Sequence, residues 1–405
     1  MARDNNLSNR GGYSLNANAL RHFVGVLFIA LALNGRALDE LAVGPIKLHP
    51  HFEFDATYDD NLTIAPDHQP GRTEQSVFYF TLSPGIQGFY GDKDRNFLSV
   101  DYTAQVLRFV DLSKEDNENH LVTALGRYEF TKLVLTADHS FEKVTGTSTE
   151  VGDRVEREQN ITHANAEYTI SSKTSFGLGY RQEFYNYLAP GLLDYSDLEG
   201  YARFYYKITP KTDLFGEIGV GFTDVSHGGS TALYEQLNGG VRGKITSKIT
   251  GTIQAGYEYR DYTSPRLESS DNVVASLNLK ADFTERTTAE LTVSRKVNPS
   301  IVTPDNNYEA TRAQLDLRQK AWKNKVTFLA GIAYENDEYQ KRFTIAPGVL
   351  KGRQDDYYEF RAGVDYDITK NVLVGLLYQF HENRSTIKTL SFDQNVATVR
   401  ALLHF

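Results

Sequence analysis

The chain is expected to be all-β and to close as a transmembrane antiparallel up-and-down β-barrel of about 18 strands. Three observations predict this: a short turn motif returning at a near-constant interval, two-residue alternation between the turns, and alternating short and long connections.

The turn motif is an apolar residue, then Ser or Thr, then Lys or Arg. Its clearest copies are Ile170-Ser171-Ser172-Lys173, Ile208-Thr209-Pro210-Lys211, Ile245-Thr246-Ser247-Lys248 and Phe283-Thr284-Glu285-Arg286. Looser copies start at Tyr90, Phe130, Ala321 and Ile368, and Phe405 ends the chain. The steps from 90 to 405 are 40, 40, 38, 37, 38, 38, 47 and 37 residues. A polar turn that returns so regularly marks one supersecondary unit copied many times.

Between turns the pattern is strand–loop–strand. Residues 212–223 place Leu214, Gly216, Ile218, Val220 and Phe222 on one face, and Phe215, Glu217 and Thr223 on the other. A Gly-rich polar stretch follows, and residues 231–245 then alternate again. Strand side chains point to opposite faces with a period of two. Eight short turns separate nine hairpins, hence eighteen strands, with long connections at 59–74, 111–119, 145–159, 188–197, 297–307 and 340–356. Short turns at one rim and long loops at the other suit an outer-membrane barrel. A soluble propeller shares a repeat near 40 residues, but its strands turn every 8–12. Residues 271–283 and 357–368 instead run unbroken for the roughly 9–11 residues that cross a bilayer at a tilt.

Composition agrees. Hydrophobic residues make up 40% of the 405, with Tyr 25 and Phe 23 against one Trp, and the formal net charge is −9. Only every second barrel residue meets lipid, so a polar average is expected. Without cysteine the chain has neither disulfides nor thiolate metal sites, and its acidity makes nucleic acid an unsuitable partner. No cofactor or metal motif is present. Residues 1–37 read as a signal peptide: Arg3, Arg10, Arg21 and His22 precede an apolar run over 23–33, with cleavage expected after Ala37. That run is too short to span a membrane as a helix. An uncleaved anchor or a buried helix is the alternative. Residues 38–405 are then one barrel, in the outer membrane of a diderm bacterium.

In chain order, the first strand covers about 48–58, with Phe52, Phe54, Ala56 and Tyr58 outward and His51, Glu53, Asp55 and Thr57 inward. It ends in Asp59-Asp60-Asn61, a turn built by Asp and Asn side chains; a calcium site would need a fuller ligand loop. Later strands gather aromatics at both ends of their outward faces. Tyr168, Tyr206, Phe283 and Tyr366 lie at the turn side, with Phe222, Tyr259, Tyr334 and Tyr358 at the loop side. Such positions fit the two interfacial girdles. In 271–283 a one-residue slip would turn Lys280 and Asp282 to lipid, and a midplane Lys costs about 2–4 kcal/mol.

The same alternation collects candidate lumen-lining residues: Arg181, Glu183, Arg203, Arg242, Glu258, Arg260 and Lys280, then Arg312, Asp316, Arg318, Arg361, Asp365 and Arg400. Barrels of 16–18 strands leave an aqueous interior. Mixed charge is what any wetted wall carries, and as a set it suits hydrated, polar cargo. His139, His163, His227 and His381 sit beside no recognisable Ser or carboxylate motif, so no enzyme is expected.

The last strand, 394–405, sets Ala397, Val399, Ala401, Leu403 and Phe405 on one face. Its terminal Phe405 resembles the signal read by the barrel-assembly machinery. The run Ala56-Thr57-Tyr58-Asp59-Asp60-Asn61-Leu62, the following Leu82-Ser83-Pro84-Gly85 and the hairpins to Phe405 resemble an outer-membrane β-barrel porin family associated with exopolysaccharide export. The resemblance covers about residues 46–405 and implies a monomeric conduit for secreted polysaccharide, served by a separate periplasmic polysaccharide-export protein. The alternative is a general or solute-selective diffusion porin, whose lumen a long loop narrows. The stretches 145–159 and 340–356 are the candidates for that loop.

Overall fold

A computed structural model describes residues 41–66, 72–226, 230–304, 306–346 and 349–405, with backbone alone for 341–346 and 349–351. The expected signal peptide lies outside the described residues. The first strands are β1 (Leu41–Val43), β2 (Ile46–Asp59), β3 (Val77–Gly91), β4 (Phe97–Phe109), β5 (Asn117–Glu129), β6 (Leu133–Ser148) and β7 (Asp153–Thr169). There follow β8 (Thr174–Tyr187), β9 (Tyr195–Thr209), β10 (Thr212–Val225), β11 (Ala232–Lys244), β12 (Ile249–Tyr262) and β13 (Ser270–Thr284). The chain ends with β14 (Thr287–Pro299), β15 (Asn307–Ala321), β16 (Val326–Ala346), β17 (Val349–Asp367), β18 (Val372–Ser385) and β19 (Phe392–His404). Every barrel strand pairs antiparallel with its sequence neighbours, and β19 pairs with β2 to close an eighteen-strand ring.

Closure removes the edges that an open sheet would expose. The seam is completed in two parts. Pairing of β19 with β2 runs from Val396↔Asp59 to His404↔His51. The Phe405 N–H then donates to the Pro50 carbonyl at 3.1 Å, and β1 takes over the same edge with Val43↔Ile46.

All eight predicted turns fall between strands, because their chemistry is local. In the sharpest, Ser171, Thr209, Thr246, Thr284 and Thr369 each accept from the backbone N–H two residues on, at 3.2 Å. At the opposite rim Asp59 makes the expected Asx turn, its Oδ1 accepting from the Asn61 N–H at 2.9 Å.

The outward faces carry the exposed apolar residues, with Ile218, Leu237 and Val273 each 63–64% exposed near mid-strand. Girdle residues Tyr168, Tyr206, Phe283 and Tyr366, with Phe222, Tyr259 and Tyr334, are exposed at the two ends. Tyr358 instead packs on Tyr334, ring centres 5.2 Å apart.

Two expected long loops are largely strand. Residues 145–148 belong to β6 and 153–159 to β7, leaving a tip of four residues. Likewise β16 has 21 residues and β17 has 19. Over 145–148 and 153–159 both faces are largely polar, so hydrophobic alternation vanishes although the hydrogen-bonded ladder continues. The wall there rises past the bilayer, which requires only about 9–11 residues.

Candidate channel lumen

Many charged side chains on the inward faces are paired, which offsets the cost of partial burial. At the turn end Arg400 grips Asp365 (2.7 and 2.8 Å) and Arg361 meets Asp316 at 2.7 Å. Lys280 and Glu290 stand 3.7 Å apart. With Arg318 these line a cavity of about 590 Å³. Higher up, Arg312 on β15 links Glu335 on β16 (2.8 Å) to Glu359 on β17 (3.2 Å).

A denser cluster fills the wall from β8 to β12. Its hub is Glu217, whose side chain is 0% exposed. Glu217 accepts from Arg203 Nε (2.7 Å), Arg181 Nη2 (3.3 Å), Asn238 Nδ2 (3.0 Å) and Gln254 Nε2 (3.0 Å). Arg181 also donates to Glu199 at 2.7 Å, and Arg260 to Glu258 at 2.8 Å. Successive inward positions on neighbouring strands supply all of these groups, so the two-residue period builds the cluster.

Other contacts cross the lumen. Arg242 on β11 makes a two-pronged bond, 2.8 Å on each prong, to Glu167 on β7, four strands away. The Arg242 guanidinium lies 3.5 Å from the Tyr205 ring centre. Lys296 on β14 reaches Glu183 on β8 at 3.7 Å, six strands around the ring. With strands about 4.8 Å apart, a round ring would hold those walls on the order of 25 Å apart. A lysine and a glutamate cannot bridge that distance, so the cross-section is flattened here.

At the loop rim the β6–β7 tip folds inward. Glu150 accepts from the Ser300 hydroxyl at 2.5 Å and the Ile301 N–H at 3.3 Å, both in the β14–β15 connection. That connection lies eight strands around a ring of eighteen, on the far wall. Arg353 of β17 donates to the Glu150 and Thr149 carbonyls at 3.2 and 3.4 Å, and is held in turn by Asp355 at 2.8 Å. Arg72 donates to the Gly152 carbonyl at 2.9 Å. Gly152 has φ +73°, a left-handed conformation that favours glycine, and a Cβ there would make the Leu390 side chain shift. Burial pushes the Glu150 carboxyl above its usual range, opposed by the Ser300 hydroxyl and Arg353.

Under this tip is a cavity of about 380 Å³ lined by Tyr185, Tyr187, Tyr195, Tyr308 and Tyr357. His163 meets Asp138 at 2.7 Å, and no serine or threonine hydroxyl bonds to His163 among the described residues.

The structure gathers the residues selected from alternation into separate groups. Arg181, Arg203, Glu258 and Arg260 join the dense cluster, and Glu183 and Arg242 make the crossing contacts. Lys280, Asp316, Arg318, Arg361 and Arg400 line the turn-end cavity, with Asp365 on Arg400 and Arg312 above. Sequence reasoning missed Glu150, Lys296, Arg353 and the tyrosines. A signal existed for the tyrosines: Tyr185, Tyr187, Tyr308 and Tyr357 continue the inward register of Arg181, Arg312 and Arg361. The partners of Glu150 are distant in sequence and left no signal.

Comparison with known proteins adds a family. A family model described as "Putative beta-barrel porin 2" matches residues 41–405. No curated protein sequence matches the chain. Among solved structures, Pseudomonas aeruginosa OpdK with vanillate is similar at 10% identity and TM-score 0.46, covering 88% of this chain and 99% of that one. Pseudomonas aeruginosa OpdO matches at 12% identity and TM-score 0.45, with coverage of 88% and 97%. Acinetobacter baumannii OccAB3 matches at 11% identity and TM-score 0.44, with coverage of 88% and 99%.

Proposed function

Because the chain belongs to the Putative beta-barrel porin 2 family, we propose that it is a passive outer-membrane channel for small hydrated solutes, with a mouth narrowed by the β6–β7 tip. The observation that carries this reading is the set of contacts crossing the lumen, Glu150 to Ser300, Lys296 to Glu183 and Arg242 to Glu167. Beside them the interior holds cavities of about 310, 380 and 590 Å³, the first two adjoining at Tyr195, Lys296 and Asn298. Spaces of this size suit small molecules. A secreted polysaccharide needs an uninterrupted bore, which the crossing side chains obstruct. The diffusion reading is therefore preferred over the exopolysaccharide conduit.

The inward charges, Arg181 through Arg400, hydrate passing solutes and set a transverse field. Phe405 serves as the assembly signal at the end of the seam strand.

Liposome swelling and planar-bilayer recordings test the proposal. Swelling in solutes of a few hundred daltons, with discrete ion conductance, is expected. An electrically silent protein whose loss removes extracellular polysaccharide would instead establish the conduit.

A further inference from the structure

The tyrosine cavity beneath the Glu150 tip takes in Lys296, which pairs with Glu183, but its five tyrosines belong neither to the ionic wall nor to the seam. It is built from two aromatic walls on opposite sides of the flattened lumen. On β8 and β9, Tyr185 stacks on Tyr195 with centres 4.6 Å apart and planes 18° apart, and Tyr187 continues the stack at 6.5 Å. Seven strands around from β8, on β15, Tyr308 stacks on Tyr339 of β16 at 4.8 Å. Tyr357 of β17 completes that wall, its hydroxyl bonded to His381 Nδ1 at 2.6 Å. Stacking and this bond fix the rings, so their faces are preorganised rather than mobile.

Between the walls the other lining groups are mostly polar, with Lys296 adding a charge and Pro299 and Ile301 some apolar surface. Gln159, Asn298 and Arg157 also line it, and among the described residues the Arg157 guanidinium donates one long hydrogen bond, 3.5 Å to Gln159. Amides, phenols and a guanidinium around flat aromatic faces form an amphipathic slot. It presents apolar surface above and below, and donors and acceptors at the edge. A hydrophobic ligand would leave the edge groups unsatisfied, and an acyclic polyol offers no face for the rings. A pyranose has both an apolar C–H face and a rim of hydroxyls. The volume of about 380 Å³ is at the small end for ligand sites.

We propose that this cavity is a saccharide-binding subsite that holds a ring sugar of one or two units between the two tyrosine walls, under the closed tip. This rests on the channel reading above and specifies its solute class. Tyr185 and Tyr308 supply the stacking faces, and Arg157, Gln159 and Asn298 bond the hydroxyls.

The test separates binding from transport by measuring both on the full-length protein. Tyrosine fluorescence of the detergent-purified barrel is titrated with glucose, maltose and sorbitol. Glucose and sorbitol have the same number of carbons, but only glucose forms a ring. Saturable quenching by the sugars and none by sorbitol is expected. Tyr185→Ala and Tyr308→Ala should each weaken sugar binding by about fivefold to tenfold. Tyr308→Phe, which keeps the stacking face, should weaken it less. Equal responses to glucose and sorbitol, or alanine variants that are folded by circular dichroism and bind as the parent does, would overturn the proposal. Failure of every solute to swell liposomes, with sugar binding intact, would overturn the channel reading and leave the subsite standing. Swelling with no sugar binding would do the reverse.

Discussion

Glu217 lies at the centre of the ionic wall, with no solvent access and two arginines and two amides directed at its carboxylate. Glu217→Ala would leave Arg181 and Arg203 short of their counter-charge. Removing one partner of a buried pair costs about 3–5 kcal/mol, and Glu199 retains Arg181, so the lower part of that range is expected. Urea unfolding in lipid vesicles measures the loss; a variant as stable as the parent would show that the cluster is hydrated. Glu150 makes a different prediction. Its carboxyl is held above its ordinary range by burial, so the docked tip binds a proton more readily than the free tip does. Docking is then fully favoured at low pH and weakens as pH rises through the docked group's titration. Channel conductance should therefore increase with pH over that window, and Glu150→Gln should flatten the dependence. An identical pH profile for parent and variant would assign the effect to groups other than Glu150.

At the scale of strands and turns, two-residue alternation was readable wherever one face meets lipid. Ile218 and Leu237 reveal their orientation because their neighbours are polar or small. An arginine placed at Leu237 would sit in the middle of the apolar band, where it costs about 2–4 kcal/mol. The same change at Trp322, on the turn rim and 72% exposed, costs about 0–1 kcal/mol. Equal costs at the two positions, read from unfolding in vesicles, would argue against the assigned membrane band. The alternation failed over 145–159 for a physical reason. Thr145, Thr147, Glu156 and Glu158 take the outward register yet are polar, since that part of the wall stands outside the apolar band. Strand pairing persists there because backbone hydrogen bonds do not depend on hydrophobicity. Turns were legible for the complementary reason: their Ser and Thr hydroxyls bond to N–H groups two residues away, so no distant partner is needed.

For the whole molecule, closure and strand number could be read from the chain because nine similar hairpins leave little else to form. The shape of the lumen could not. Flattening is read from Lys296 meeting Glu183, six strands apart, and from Arg242 meeting Glu167, four apart, pairs indistinguishable in sequence from solvated wall charges. The tip contact has the same long-range character, with Glu150 and Ser300 separated by 150 positions. Because the chain has no cysteine, that contact can be probed without background. The double variant Glu150→Cys/Ser300→Cys is joined by a short reducible bis-thiol reagent in a planar bilayer. If the tip spans the mouth to the far wall, cross-linking lowers single-channel conductance severalfold and reduction restores it. Absence of cross-linking, or conductance unchanged by it, would contradict a lumen narrowed from side to side by this tip.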